Sequence, residues 1–137
     1  MAVSIFDLFK IGIGPSSSHT VGPMKAANKF LERLQRLGLT DDTMRIVVRL
    51  YGSLAHTGRG HGTDKALLLG LQGEKADTVD PDTIEASLER IRSKRQILLA
   101  GKRSIPLSEL DDIVFLTGKL LPRHSNGMRL EAWSADK

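Results

Sequence analysis

The sequence contains no cysteine. No disulfide can form, which fits a reducing compartment, and the expected location is cytoplasmic. The same absence removes thiolates, the usual ligands of iron–sulfur clusters, from this chain. Aromatic residues make up only 4% of the 137 positions. That is too few to stack a run of bases, so nucleic acid is not an expected partner despite a net charge of +4. The basic residues are also mixed with acids, as in SLERIRSKRQ. No run reaches the roughly 18 apolar residues that a membrane helix needs. The opening MAVSIFDLFKIGIG is apolar but short, and Asp7 and Lys10 interrupt it, so neither a span nor a secretory leader is expected. No two histidines have the helical spacing of a zinc site, and no GxSxG elbow is present. This chain is therefore expected to ligate no metal and to carry no serine-hydrolase triad.

What is present is a globular mixture, 40% hydrophobic and 26% charged, in a length suited to one domain over residues 1–137. Met24, Ala27, Leu31, Leu34 and Leu37 recur at helical spacing and predict a helix from about Gly22 to Leu37, opened by Pro23 and stopped at Gly38. MRIVVRLYG then alternates Met44, Ile46, Val48 and Leu50 with Arg45, Val47, Arg49 and Tyr51, which reads as a strand with one apolar face. A second helix is expected near Asp64–Leu71. A third starts at Asp80-Pro81 with Asp80 as its cap, and Ile84, Leu88, Ile91, Arg95 and Leu98 trace a stripe that is apolar except for Arg95. Further strands are expected at Asp112–Leu116 and Met128–Ser134. The expected fold is α+β, a small mixed or antiparallel sheet with helices mainly on one face. A last strand so close to the end of the chain leads us to expect a piece of a longer polypeptide.

Three polar, glycine-containing segments lie between these elements. In GPSSSHTVGPM, Ser16, Ser17, Ser18, His19 and Thr20 precede a helix start, where free N–H groups and the dipole favour an anion. An ordinary cap would need only one of these hydroxyls. In GSLAHTGRGHGTDKA, His61 lies between Gly60 and Gly62, and Thr63 and Asp64 open the next helix. Little side-chain bulk flanks that imidazole, although a structural histidine would fit the same pattern. The glycines have neither the dinucleotide nor the P-loop spacing. In LPRHSNGM, His124, Ser125 and Asn126 precede Gly127; Asn-Gly is also a hairpin signal. His56 follows an apolar run and reads as structural.

These three motifs occur in this order, with SIFDLFKIGIGPSSSHT and DTVDPDTI beside them. Over essentially its whole length the chain resembles the β region of bacterial iron–sulfur L-serine dehydratases. The resemblance implies that L-serine loses water and then ammonia to give pyruvate, with a [4Fe–4S] cluster as Lewis acid instead of pyridoxal phosphate. It implies that the cluster cysteines belong to a separate α domain or subunit, so this chain would be the β domain alone and inactive by itself. Its implied partners are L-serine and that α region, and a homo-oligomer is expected. The sequence stops before the Gly-rich segment that usually closes the family's β domain, so it is expected to be truncated there. The domain is also similar to the allosteric substrate-binding domain of some 3-phosphoglycerate dehydrogenases. That likeness carries an alternative, a non-catalytic module that binds an anion or effector.

On the dehydratase reading, removal of the Cα proton calls for a base of near-neutral pKa. His61, the least crowded of the three motif histidines, is the expected base. His19 and His124 would bind or orient. Ser16, Ser17, Ser18, Thr20, Thr63, Asp64, Ser125 and Asn126 are the expected substrate contacts.

Overall fold

The structure is a computed structural model that describes residues 4–10, 21–52, 62–75, 78–116 and 127–134. Four strands form a mixed sheet in the order β1-β6-β2-β5: β1 (Ser4–Lys10), β2 (Arg45–Tyr51), β5 (Ile113–Leu116) and β6 (Gly127–Trp133). β6 runs antiparallel to both β1 and β2, and β2 runs parallel to β5. A separate hairpin pairs β3 (Gln96–Leu99) with β4 (Arg103–Pro106). The helices are α1 (Val21–Arg36), α2 (Thr63–Leu71), α3 (Pro81–Lys94) and the single turn α4 (Glu109–Asp112). The fold is α+β, as expected.

Periodicity explains the helices. On α1, Met24, Ala27, Phe30, Leu31 and Leu34 are buried in one core with Leu67, Leu68 and Leu71 of α2 and Leu88 and Ile91 of α3. The same core takes Ile46, Val48 and Leu50 from β2 and Met128, Leu130 and Ala132 from β6. Each strand thus gives alternate residues to the helices. α1 stops as its sequence predicts. Gly38 adopts φ +70°, its N–H reaches the carbonyl of Gln35 at 3.1 Å, and that of Leu39 reaches Leu34 at 2.9 Å, the paired bonds of a Schellman motif. At the start of α3, Asp80 Oδ1 accepts the N–H of Asp82 at 3.0 Å, with Pro81 in the first turn.

Three expectations need correction. Leu37 lies past the end of α1 and is 51% exposed, and Met44 lies before β2 and is 39% exposed, so neither joins the core. The apolar stripe of α3 does not continue to Leu98. Arg95 caps the helix in the left-handed region, at φ 53° and ψ 42°, and the chain leaves as β3. Ile97 and Leu99 then face the core with Ile105, while Leu98 is 41% exposed. The two strands of this hairpin and β1 were not anticipated. The expected strands at residues 112–116 and 128–134 exist within one residue of their predicted limits.

α1 and α2 are locked together at a glycine. A Cβ placed on Gly70 would sit 2.9 Å from both the Ala27 Cβ and the Met24 carbonyl oxygen. Asn28 spans the same contact: its side-chain amide donates to the carbonyls of Gly70 and Glu74, both at 3.0 Å.

Candidate functional site

The sheet register places the anchors of the three polar segments at one end of the sheet. β1 ends at Lys10, which pairs with Gly127, the first residue of β6. On the other side of β6, Met128 pairs with Leu50, one residue before the end of β2. β2 ends at Tyr51, and Tyr51 pairs with Leu116, the last residue of β5. Residues 11–20 follow Lys10, residues 53–61 follow the end of β2, and residues 117–126 join Leu116 to Gly127. Neighbouring strands are about 4.8 Å apart, so four strands bring these anchors within about 15 Å of one another. Three of the four strands point their carboxyl ends to this edge, where open sheets that carry helices commonly bind ligands.

Two of the segments lead directly into helices. Val21 opens α1 after the first, and Gly62 caps α2 after the second. Gly62 adopts φ 80° and ψ 19°, a conformation that an L side chain would strain. Thr63 and Asp64 follow in the first turn of α2. Thr63 is fully buried. Ser16, Ser17, Ser18, His19, Thr20, His61, His124, Ser125 and Asn126 lie outside the described residues, as does His56.

Asp64 is the described carboxylate nearest in sequence to the expected base. Its carboxylate sits at the positive end of the α2 dipole. Its Oδ2 lies 3.8 Å from Nη2 of Arg92, in the last turn of α3. Its Oδ1 is buried and accepts no hydrogen bond. A buried acceptor left without a donor costs about 1–3 kcal/mol, so this oxygen is an open bonding position. Arg92 is itself clamped by Glu109 of α4, from Nε to Oε1 at 2.7 Å and from Nη2 to Oε2 at 3.1 Å. This bidentate pair raises the guanidinium pKa, with the charges of Glu109 and Asp64 adding to the effect and burial opposing it. One fixed cation thus ties α2, α3 and α4 together beside the second segment. Sequence reasoning missed Arg92. It lies outside every motif, and nothing local distinguishes it from the other arginines of SLERIRSKR.

Among the described residues, no group of three or more histidine, aspartate or glutamate side chains is placed to hold a metal ion. No helix among them is long and apolar enough to cross a membrane.

Residues 4–137 match the family model described as serine dehydratase beta chain. The chain is 52% identical over 136 residues to an L-serine dehydratase of Streptomyces coelicolor, covering 99% of this chain and 30% of that protein. It is 48% identical to L-serine dehydratase TdcG of Escherichia coli, covering 98% of this chain and 30% of the relative. It is 41% identical to an L-serine dehydratase of Helicobacter pylori, covering 96% of this chain and 28% of the relative. The chain thus spans less than a third of the length of these relatives. The match runs through all three polar segments and all six strands, and the chain belongs to the serine dehydratase beta chain family.

Proposed function

We propose that this chain is the β region of an L-serine dehydratase and supplies substrate-binding and proton-transfer groups for the conversion of L-serine to pyruvate and ammonia. The observation that carries the reading is the anchoring of the three polar segments at one sheet end. The described residues that flank segments far apart in sequence thereby lie at one sheet end, as a site for one small molecule requires.

The roles follow from the chemistry of serine. Its carboxylate needs donors, which Ser16, Ser17, Ser18, Thr20, Ser125 and Asn126 offer. Its ammonium needs an acceptor, and the open Oδ1 of Asp64 is one. Its Cα proton passes to His61 as the β-hydroxyl leaves, so that water is lost and aminoacrylate forms. His19 and His124 bind or orient. Tautomerisation gives the imine, and water then releases ammonia and leaves pyruvate.

This chain has no cysteine and, among its described residues, no metal-binding group. Its residues do not fit a [4Fe–4S] cluster. The cluster that the resemblance implies, a Lewis acid for departure of the hydroxyl, belongs on our reading to an α region outside this chain, fused or separate.

The test compares two proteins. The chain together with its α region should form pyruvate from L-serine. The chain alone, after anaerobic reconstitution with iron and sulfide, should form none and should retain no stoichiometric iron. Serine turnover by the chain alone, or none by the complete protein carrying its cluster, overturns the proposal.

A further inference from the structure

We propose that Arg92 is a positioning residue: it fixes Asp64 so that the free carboxylate oxygen is presented to the substrate ammonium. The inference rests on the serine dehydratase reading and adds to it a residue outside all three motifs.

The argument starts from what each oxygen of Asp64 does. Oδ2 faces the Arg92 guanidinium at 3.8 Å, while Oδ1 is buried and has no donor. A carboxylate in the first turn of a helix can rotate about its side-chain bonds. A cation on one side favours the rotamer that turns Oδ2 towards it, and this sets the direction of Oδ1. Arg92 can do this because it is held in turn. Glu109 grips it through two parallel hydrogen bonds, at 2.7 and 3.1 Å, so the guanidinium plane is fixed independently of Asp64. As a guanidinium it is protonated throughout the working pH range. A lysine would retain the charge but could not make the bidentate clamp, in which Nη2 both bonds Glu109 and faces Asp64. The order is therefore Glu109 to Arg92 to Asp64 to substrate, and Arg92 itself touches no substrate.

The experiment uses the complete, cluster-loaded enzyme with Arg92→Gln, Arg92→Lys, Glu109→Gln and Asp64→Asn, alone and with Arg92→Gln and Asp64→Asn combined. Two probes are compared: L-serine as substrate, and 3-hydroxypropionate, which keeps the carboxylate and hydroxyl but lacks the amino group, as competitive inhibitor. Arg92→Gln should raise the KM for serine by roughly tenfold, the worth of one charge-assisted hydrogen bond, with a much smaller change in kcat. Inhibition by 3-hydroxypropionate should stay within about twofold of the parent value, because no ammonium is involved. Arg92→Lys and Glu109→Gln should show the same selective loss to a lesser degree. They also report if Arg92→Gln fails to fold. The Arg92→Gln and Asp64→Asn effects should not add.

Equal weakening of both probes would reveal a merely structural role and overturn the inference, as would additive effects or an unchanged serine KM in all three variants. If the parent enzyme does not turn over serine, the functional reading itself fails, which is distinguishable from an active parent with an indifferent Arg92.

Discussion

Arg49 of β2 donates its Nε–H to Oε2 of Glu131 on β6 at 2.9 Å, one diagonal step from its register partner Arg129. Arg129 Nε lies 2.9 Å from the same oxygen, and Trp133 Nε1 donates to Oε1 at 3.3 Å. The Glu131 side chain is only 5% exposed, and its two arginines are 38% and 35% exposed. The sheet face turned away from the core is thus stitched by a buried anion between two partly solvated cations. Glu131→Gln keeps the shape but removes the charge both guanidinia face. The arginines retain some water, so the cost should be about 1–3 kcal/mol, below the full value for breaking a buried pair. Urea unfolding measures it, and a midpoint equal to the parent's would show that the pair contributes nothing net.

Gly70→Ala tests the α1–α2 contact. Helix propensity alone favours alanine by about 1 kcal/mol. The new methyl group would meet the Met24 carbonyl oxygen at 2.9 Å. That atom belongs to the α1 backbone, so α1 must move. Overpacking of this kind costs about 1–3 kcal/mol, and we expect it to prevail. A higher urea midpoint for the variant would mean that α1 yields easily.

Arg95→Gly should act in the opposite direction. Arg95 closes α3 at φ 53°, where an L residue is disfavoured by roughly 1 kcal/mol. Glycine is the usual residue at such a helix end. After the entropy cost of glycine in the unfolded chain, a gain of about 0.5 kcal/mol is expected, seen as a rise of roughly 2 °C in Tm. A lower Tm would assign the Arg95 side chain a stabilising role.

The expected base is tested by His61→Ala in the complete enzyme with its cluster intact. Loss of a general base should lower kcat by about 10²- to 10⁴-fold. Near-normal turnover, with activity abolished instead by His19→Ala or His124→Ala, would move the role to that histidine.

The parts of the fold legible in the sequence are those fixed by local chemistry. Pro81 after Asp80 marks the start of α3, Gly38 marks the end of α1, and the alternation in RIVVRLY marks β2. Other features depend on distant partners. The stripe through Arg95 and Leu98 has helical spacing by coincidence, and an arginine in the left-handed region gives no local stop signal. β1 is a strand because β6 lies beside it, and nothing in SIFDLFK states that pairing. The candidate site divides in the same way. Each motif is legible by itself, but that all three hang from one sheet end depends on register. The link from Glu109 through Arg92 to Asp64 joins residues 45 positions apart and exists only in the folded chain.

The strand order β1-β6-β2-β5 places the last described strand, β6, between β1 and β2. Residue 4 finds its neighbour at residue 133, so this sheet cannot be completed until translation has delivered β6. At ribosomal speeds β1 waits on the order of ten seconds for its partner β6. Contacts of such long sequence separation also slow the closing step itself. A nascent chain that stalls before Gly127 would hold β1 and β2 with no strand between them, and the anchors at Lys10 and Tyr51 would not be brought together. Assembly of the binding region is thereby tied to completion of this segment of the polypeptide.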